Sequence, residues 1–216
     1  MIRTSIYPQN MLLALCGLCL LAILHNQAAW VFLVISYLLL WQTNRHENIH
    51  VLTFMGLILT AHHLMGYIQT HGINIPLPIN DLDSKNYHTN TIIYNDYYAT
   101  SPYLMTEIYH GHIIFFRALL AYLYQLTPAW FLGAEAMIVC FTWALISLNR
   151  ILTILAIGQK ERLIALAFFG LFPHSLIWTS ITMRESLEMA LIIGLIATII
   201  DNLQSPWTWR QCWIAW

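Results

Sequence analysis

Long apolar runs restrict this chain more than any single residue does. Residues 51–68, 129–157 and 163–182 are apolar stretches with few polar interruptions, and a further one reaches residue 200. A bilayer core needs ~20 consecutive apolar residues to be crossed by a helix, so continuous runs of this size read as membrane helices. The chain is 59% apolar and 9% charged, with mean hydropathy +0.62, where an ordinary soluble domain carries about 25% charged residues. So few charges cannot coat a water-facing surface, and the solvent is largely lipid. A net charge of −1 gives no general electrostatic footprint for nucleic acid.

In chain order, residues 1–10 form a short polar lead with Arg3 and Pro8. Residues 11–24 are apolar, His25-Asn26-Gln27 interrupts, and 28–41 resumes. Each half is shorter than the ~20 residues of one span, so the flanks complete a tight hairpin within an N-terminal unit, 1–48. Trp30 and Trp41 suit interfacial anchoring there. The third span, 51–68, carries His62 and His63 in its outer half.

The polar interval 69–110 follows, holding Asp81, Asp83, Asp96 and Glu107 against Lys85 alone. Its aromatic content argues against disorder, and loops this long are usually functional. Arg3, Arg45, Lys160 and Arg162 lie in the lead and the short connections. The positive-inside rule puts them and the N-terminus in the cytoplasm and 69–110 outside. Parity closes with five spans if 111–126, which contains Arg117, lies in the interface or re-enters. Pro173 bends 163–182, and Arg184 to Glu188 open the last span on the outer side.

Of the four cysteines, Cys16-x-x-Cys19 has neither polar flanks nor a βαβ context and reads as packing; Cys140 and Cys212 stand apart. The lead lacks a cleavage pattern, so the first helix is expected to be retained. The expected fold is an all-α, polytopic helical membrane protein. It is one membrane domain of about five spans, with a long extracytoplasmic loop containing short interfacial helices, and with 111–200 supplying interfacial and transmembrane helices.

Candidate chemistry centres on Asp81-x-Asp83. Carboxylates two apart in a turn can hold a divalent cation, magnesium or manganese, beside a phosphate. One carboxylate alone can act as a general base. The plainer reading is a solvated acidic loop; placement after a membrane helix, with Tyr87-His88 next, favours chemistry. Arg184 and Glu188 can pair at i, i+4, which leaves Glu185 the freer group. The ten histidines, among them His46, His50, His62, His63, His110 and His112, raise a haem or metal electron carrier as a third class. Their expected depths do not match across spans. Tyr94, Tyr97, Tyr98, Tyr103 and Tyr109 suit an interfacial belt or sugar stacking. The sequence has no glycine-rich phosphate loop, Ser-His-Asp order or zinc signature.

Asp83-Ser84-Lys85-Asn86-Tyr87-His88, in an outer loop after a membrane helix, resembles the first-loop motif of GT-C type membrane glycosyltransferases. That superfamily includes protein O-mannosyltransferases and the lipid A aminoarabinose transferases. Residues 172–187 are similar to a stretch in its bacterial members. There a Phe-Pro, a Trp-Ser-like pair and a Lys/Arg-Asp/Glu-Ser-Leu run recur in the order of Phe172-Pro173, Trp178-Thr179-Ser180 and Arg184-Glu185-Ser186-Leu187. Leu148-Asn149-Arg150 to Gly158-Gln159-Lys160 resembles their helix end and basic turn. The likeness spans about residues 50–200 and rests on the order of short motifs. Two departures stand out: members often carry an arginine early in the helix that here holds Glu135, and they continue for several more spans.

The resemblance implies an N-terminal portion of an enzyme of a bacterial inner membrane, with the N-terminus cytoplasmic. It implies a polyprenyl-phosphate-linked sugar donor, a glycan, lipid or protein acceptor at the outer face, and inversion at the anomeric carbon. Asp83 would be the base, with Asp81 second or helping to hold an ion. Lys85, Tyr87, His88, Arg117, Arg184 and Glu185 would bind substrate. The alternative expectation is a non-catalytic subunit or truncated module of a glycan-assembly system.

Overall fold

The computed structural model describes residues 28–44, 46–71, 88–92, 113–127, 129–181 and 184–204, without the side chains at 113–115, 117 and 118. These residues are helical, with no strand among them. Helix α1 is Ala29–Asn44, α2 Ile49–Thr70, α3 Ile113–Tyr124, α4 Trp130–Ile154, α5 Gln159–Leu171, α6 Pro173–Trp178 and α7 Glu185–Gln204.

Local chemistry sets the breaks. Asn48 caps α2, its side chain accepting from the His50 N–H at 2.9 Å. Helix α4 ends at Ala156, whose φ of +54° lies in the left-handed region, and the Ile157 N–H closes back on Leu152 C=O at 3.0 Å. Pro173 removes a donor and holds Phe172 extended (ψ 130°), so the run after Arg162 splits into α5 and α6, with proline in the first turn of α6.

Among the described residues three helices are long and apolar enough to cross a membrane, α2, α4 and α7, and α1 is a shorter apolar helix. Only the second half of the expected N-terminal hairpin, α1, is described; residues 11–24 and the Cys16/Cys19 pair lie outside the described residues. The 111–126 run forms a 12-residue helix, α3, whose rise of about 18 Å falls well short of a ~30 Å bilayer core.

Helix α4 is the axis: 78% of its apolar window is buried, against 17% for α7. Its neighbours run in fixed directions. Helix α2 is antiparallel to it, with His63 beside Glu135 and His71 beside Phe131. Helix α7 is parallel, with Gly194 against Trp143 and Asp201 paired with Arg150. Leu191, Ile192, Leu195, Ile199 and Leu203 of α7, with Leu57 and Leu64 of α2, remain exposed. Lipid is the solvent that such outward leucines and isoleucines fit.

Close approach of α5 to α2 depends on Gly170. A Cβ there would sit 2.4 Å from Ile58 Cγ2. Gly170→Ala is expected to destabilise the detergent-solubilised chain by about 1–3 kcal/mol through overpacking. A thermal-unfolding midpoint equal to wild type would contradict this packing.

Candidate functional site

The bundle has two polar layers, one towards each end. At the end where α1 meets α2, Glu47 lies in the connecting turn. The Arg162 guanidinium of α5 pairs with Glu47 Oε2 and donates to Asn149 Oδ1 at 2.7 Å. Asn149 Nδ2 donates in turn to Asn44 Oδ1 at 3.1 Å and to Glu47 Oε2 at 3.0 Å. Asn48 adds its N–H to Glu47 Oε1 at 3.0 Å, and its side-chain amide reaches Gln159 Oε1 at 3.2 Å. Four helices are therefore tied through one carboxylate. Burial by itself would raise the Glu47 pKa, but hydrogen bonds from Arg162, the Asn48 N–H and Asn149, and the Arg162 charge, together hold it below its ordinary value near 4.5.

The second layer lies nearer the other end, on α1, α2 and α4. Glu135 has no exposed surface, and its Oε2 lies 2.7 Å from His63 Nδ1, itself buried. The contact is ion-pair close but off line for a hydrogen bond, and Glu135 Oε1 has no hydrogen-bond partner. His63 Nε2 lies 2.9 Å from Ser36 Oγ on α1, and the Tyr37 ring stacks on the imidazole at 5.6 Å. Beside it, His62 Nε2–H donates to the Gly170 carbonyl at 2.8 Å, while Nδ1 faces Thr179 Oγ1 at 2.8 Å and Ser180 Oγ at 3.2 Å. The Phe141 ring covers His62 at 3.8 Å.

Ser36, His63 and Glu135 have the order of contacts of a Ser-His-acid triad, a constellation absent from the linear sequence. Two features deny it acyl-transfer chemistry. Ser36 has no exposed surface to meet a substrate, and it sits inside α1, whose amides are spent in the helix's own hydrogen bonds.

Above this layer, aromatic side chains gather at the start of α4. His71, just past α2, packs edge-on against Phe131 at 5.1 Å and stacks with Tyr67 at 4.4 Å. His88, in the short helical turn 88–92, stacks on Trp130 at 5.9 Å, and its Nδ1 meets Tyr124 Oη of α3 at 2.9 Å. Burial lowers the His88 pKa, favouring neutral imidazole. His71 and His88 thus dock on adjacent residues of one helix.

Of the residues singled out in the sequence, Asp81, Asp83, Lys85, Tyr87 and the Arg117 side chain lie outside the described residues, as do His110 and His112. His88 is docked as above. Arg184 Nε contacts Glu188 Oε1 at 3.4 Å, the i, i+4 pair that the spacing suggests. Glu185 has its Oε2 buried without a hydrogen-bond partner among the described residues. His46 and His50 lie near the Glu47 end and His62 and His63 in the other layer; among the described residues no three His, Cys, Asp or Glu side chains are gathered to hold a metal ion.

Ser36 and Glu47 carry no signal of their role in the sequence, Asn149 shows there only as a polar residue at a helix end, and Glu135 and His63 stand there without partners. Comparison with family models, with curated proteins and with solved structures gives no match.

The Glu47 assignment has a signed consequence. A depressed folded-state pKa adds stability above pH about 4.5 that is lost as pH falls through the folded value. Thermal midpoints measured from pH 7 down to 3 should drop in the wild type, and Glu47→Gln should flatten that acid limb. Arg162→Met, which leaves Glu47 charged without its partner, should cost about 3–5 kcal/mol at pH 7. An acid limb unchanged in Glu47→Gln would contradict the assignment.

Proposed function

We propose that this chain is the membrane-embedded part of a glycosyltransferase that moves a sugar from a polyprenyl-phosphate carrier to an acceptor at the extracytoplasmic face. The observation that supports it best is the docking of His71 and His88 on Phe131 and Trp130, adjacent residues of α4. These two histidines flank, in sequence, the stretch that holds Asp81, Asp83, Lys85 and Tyr87. A lipid-linked donor keeps its phosphate at a membrane interface, where an acidic segment can reach it. The GT-C-like order of motifs points the same way.

In this reading Asp83 takes the proton of the acceptor hydroxyl. The freed oxygen attacks the anomeric carbon from the face opposite the phosphate. The bond between that carbon and the phosphate oxygen breaks, polyprenyl phosphate leaves with the electron pair, and configuration inverts. Lys85 and Arg184 supply positive charge to the phosphate, and Asp81 would help to hold a magnesium or manganese ion. Tyr87 and His88 line the sugar site. The turn with Lys160 and Arg162 is cytoplasmic, as basic residues in a short connection require.

Purified full-length chain, supplied with labelled polyprenyl-phosphate sugars and outer-leaflet acceptors, is expected to transfer sugar. Asp83→Asn should lower the rate by about 10²–10⁴-fold while donor binding stays. Wild-type rates in the variant would remove Asp83 as base. A chain that neither transfers sugar nor binds donor would refute the glycosyltransferase reading and leave a membrane scaffold of a glycan-assembly system.

A further inference from the structure

The buried layer of Ser36, His63 and Glu135 has chemistry that glycosyl transfer does not use. Ser36 Oγ lies 2.7 Å from the Leu33 carbonyl, to which it can only donate. With its one proton spent there, the hydroxyl accepts from His63, so Nε2 carries a hydrogen. The tautomer is thereby set from the α1 side. On the other side, Glu135 Oε2 lies 2.7 Å from Nδ1, off the line of a hydrogen bond. An anionic carboxylate against an unprotonated ring nitrogen would be repelled at that distance, so one of the two carries a proton.

We propose that His63 and Glu135 form an intramembrane proton-binding site that holds a single proton, with Ser36 fixing the imidazole tautomer. The proton has two resting places. On Nδ1 the pair is imidazolium and carboxylate; on Oε2 it is neutral imidazole and carboxylic acid. Moving from one to the other breaks an N–H bond and forms an O–H bond, and net charge is zero in both. A proton can therefore pass between α2 and α4 without placing net charge in the apolar interior. Loading a second proton, or removing the only one, changes the layer by a full unit, a costly state away from water.

Three further observations fit a proton as the ligand. Both Glu135 oxygens and His63 Nδ1 are buried with no hydrogen-bond partner among the described residues, so no other group satisfies the pair. Neither side chain has an ion pair with lysine or arginine among the described residues. No third metal-binding side chain joins the pair among the described residues. Among the described residues the other titratable groups against it are Tyr37 of α1, stacked on the ring, and His62, the neighbour in α2, which is engaged with Gly170, Thr179 and Ser180. Carboxylate and imidazole side chains at membrane depth commonly serve as proton carriers. The site does not depend on the glycosyl-transfer reading.

The test counts protons directly. Full-length chain carrying ¹⁵N-histidine and ¹³C-glutamate is placed in bilayers at pH 7, and magnetic resonance reads the His63 ring nitrogens and the Glu135 carboxyl. Glu135→Gln and His63→Gln assign the signals, and circular dichroism confirms that both variants are folded. The expected result is a protonated Nε2, and one proton in total on Nδ1 and the Glu135 carboxyl. In His63→Gln the Glu135 carboxyl should be fully protonated. A bare Nε2, a total of zero or two protons, or an ionised Glu135 in His63→Gln would overturn the proposal.

Discussion

A carboxylate inside the most enclosed helix of a lipid-facing bundle has to be neutralised where it stands. Glu135 lies little more than a turn into α4, on a stretch buried on all sides, and leaving such a charge unpaired would cost several kcal/mol. His63 answers it from α2, and Ser36 answers His63 from α1. Three helices are brought into register by these contacts. Gly66, one turn further along α2, then approaches the Ser180 carbonyl and Ile138 of α4 so closely that a Cβ would lie 3.1 Å from the former. His62, on the adjacent face, ties in α5 and the segment after α6.

The layer around Glu47 does the same work at the opposite end with different chemistry. Arg162 has a permanent charge and several donors in a planar fork, so that end is held by an ion pair dressed with asparagine amides. The Glu135 layer uses groups that can exchange a proton instead. One end is thereby held by a permanent charge, the other by a carboxylate and an imidazole. His71 and His88 dock at the same end of the bundle as the Glu135 layer.

Much of the fold was legible because apolar run length and polar breaks decide it. Run 51–68 lies within Ile49–Thr70, 129–157 brackets Trp130–Ile154, and Pro173 splits the following stretch. The Arg184–Glu188 pair was legible because it is local. What escaped is tertiary. Glu47 and Arg162 are far apart in sequence, and Asn149 looked like one polar residue near a helix end; only antiparallel packing of α2 and α5 on α4 joins them. Glu135 and His63 each stood out as ionisable residues in apolar runs, a signal that a partner is needed at the same depth. His63 sits seven residues before the end of α2 and Glu135 five after the start of α4, so matching depths in an antiparallel pair was the available clue. Asp81 and Asp83 fall outside the described residues.

In the proposed topology the two ends of the bundle face two sides of a membrane, with His71 and His88 at one and the Gly158–Arg162 turn at the other. The most direct measurement is substituted-cysteine labelling in intact cells. Cys16, Cys19, Cys140 and Cys212 are replaced by serine or alanine, and Ser84→Cys or Gln159→Cys is introduced singly. A membrane-impermeant maleimide applied from outside is predicted to label Ser84→Cys at once and Gln159→Cys only after the membrane is permeabilised. Labelling of both from outside, or of Gln159→Cys alone, would contradict the account.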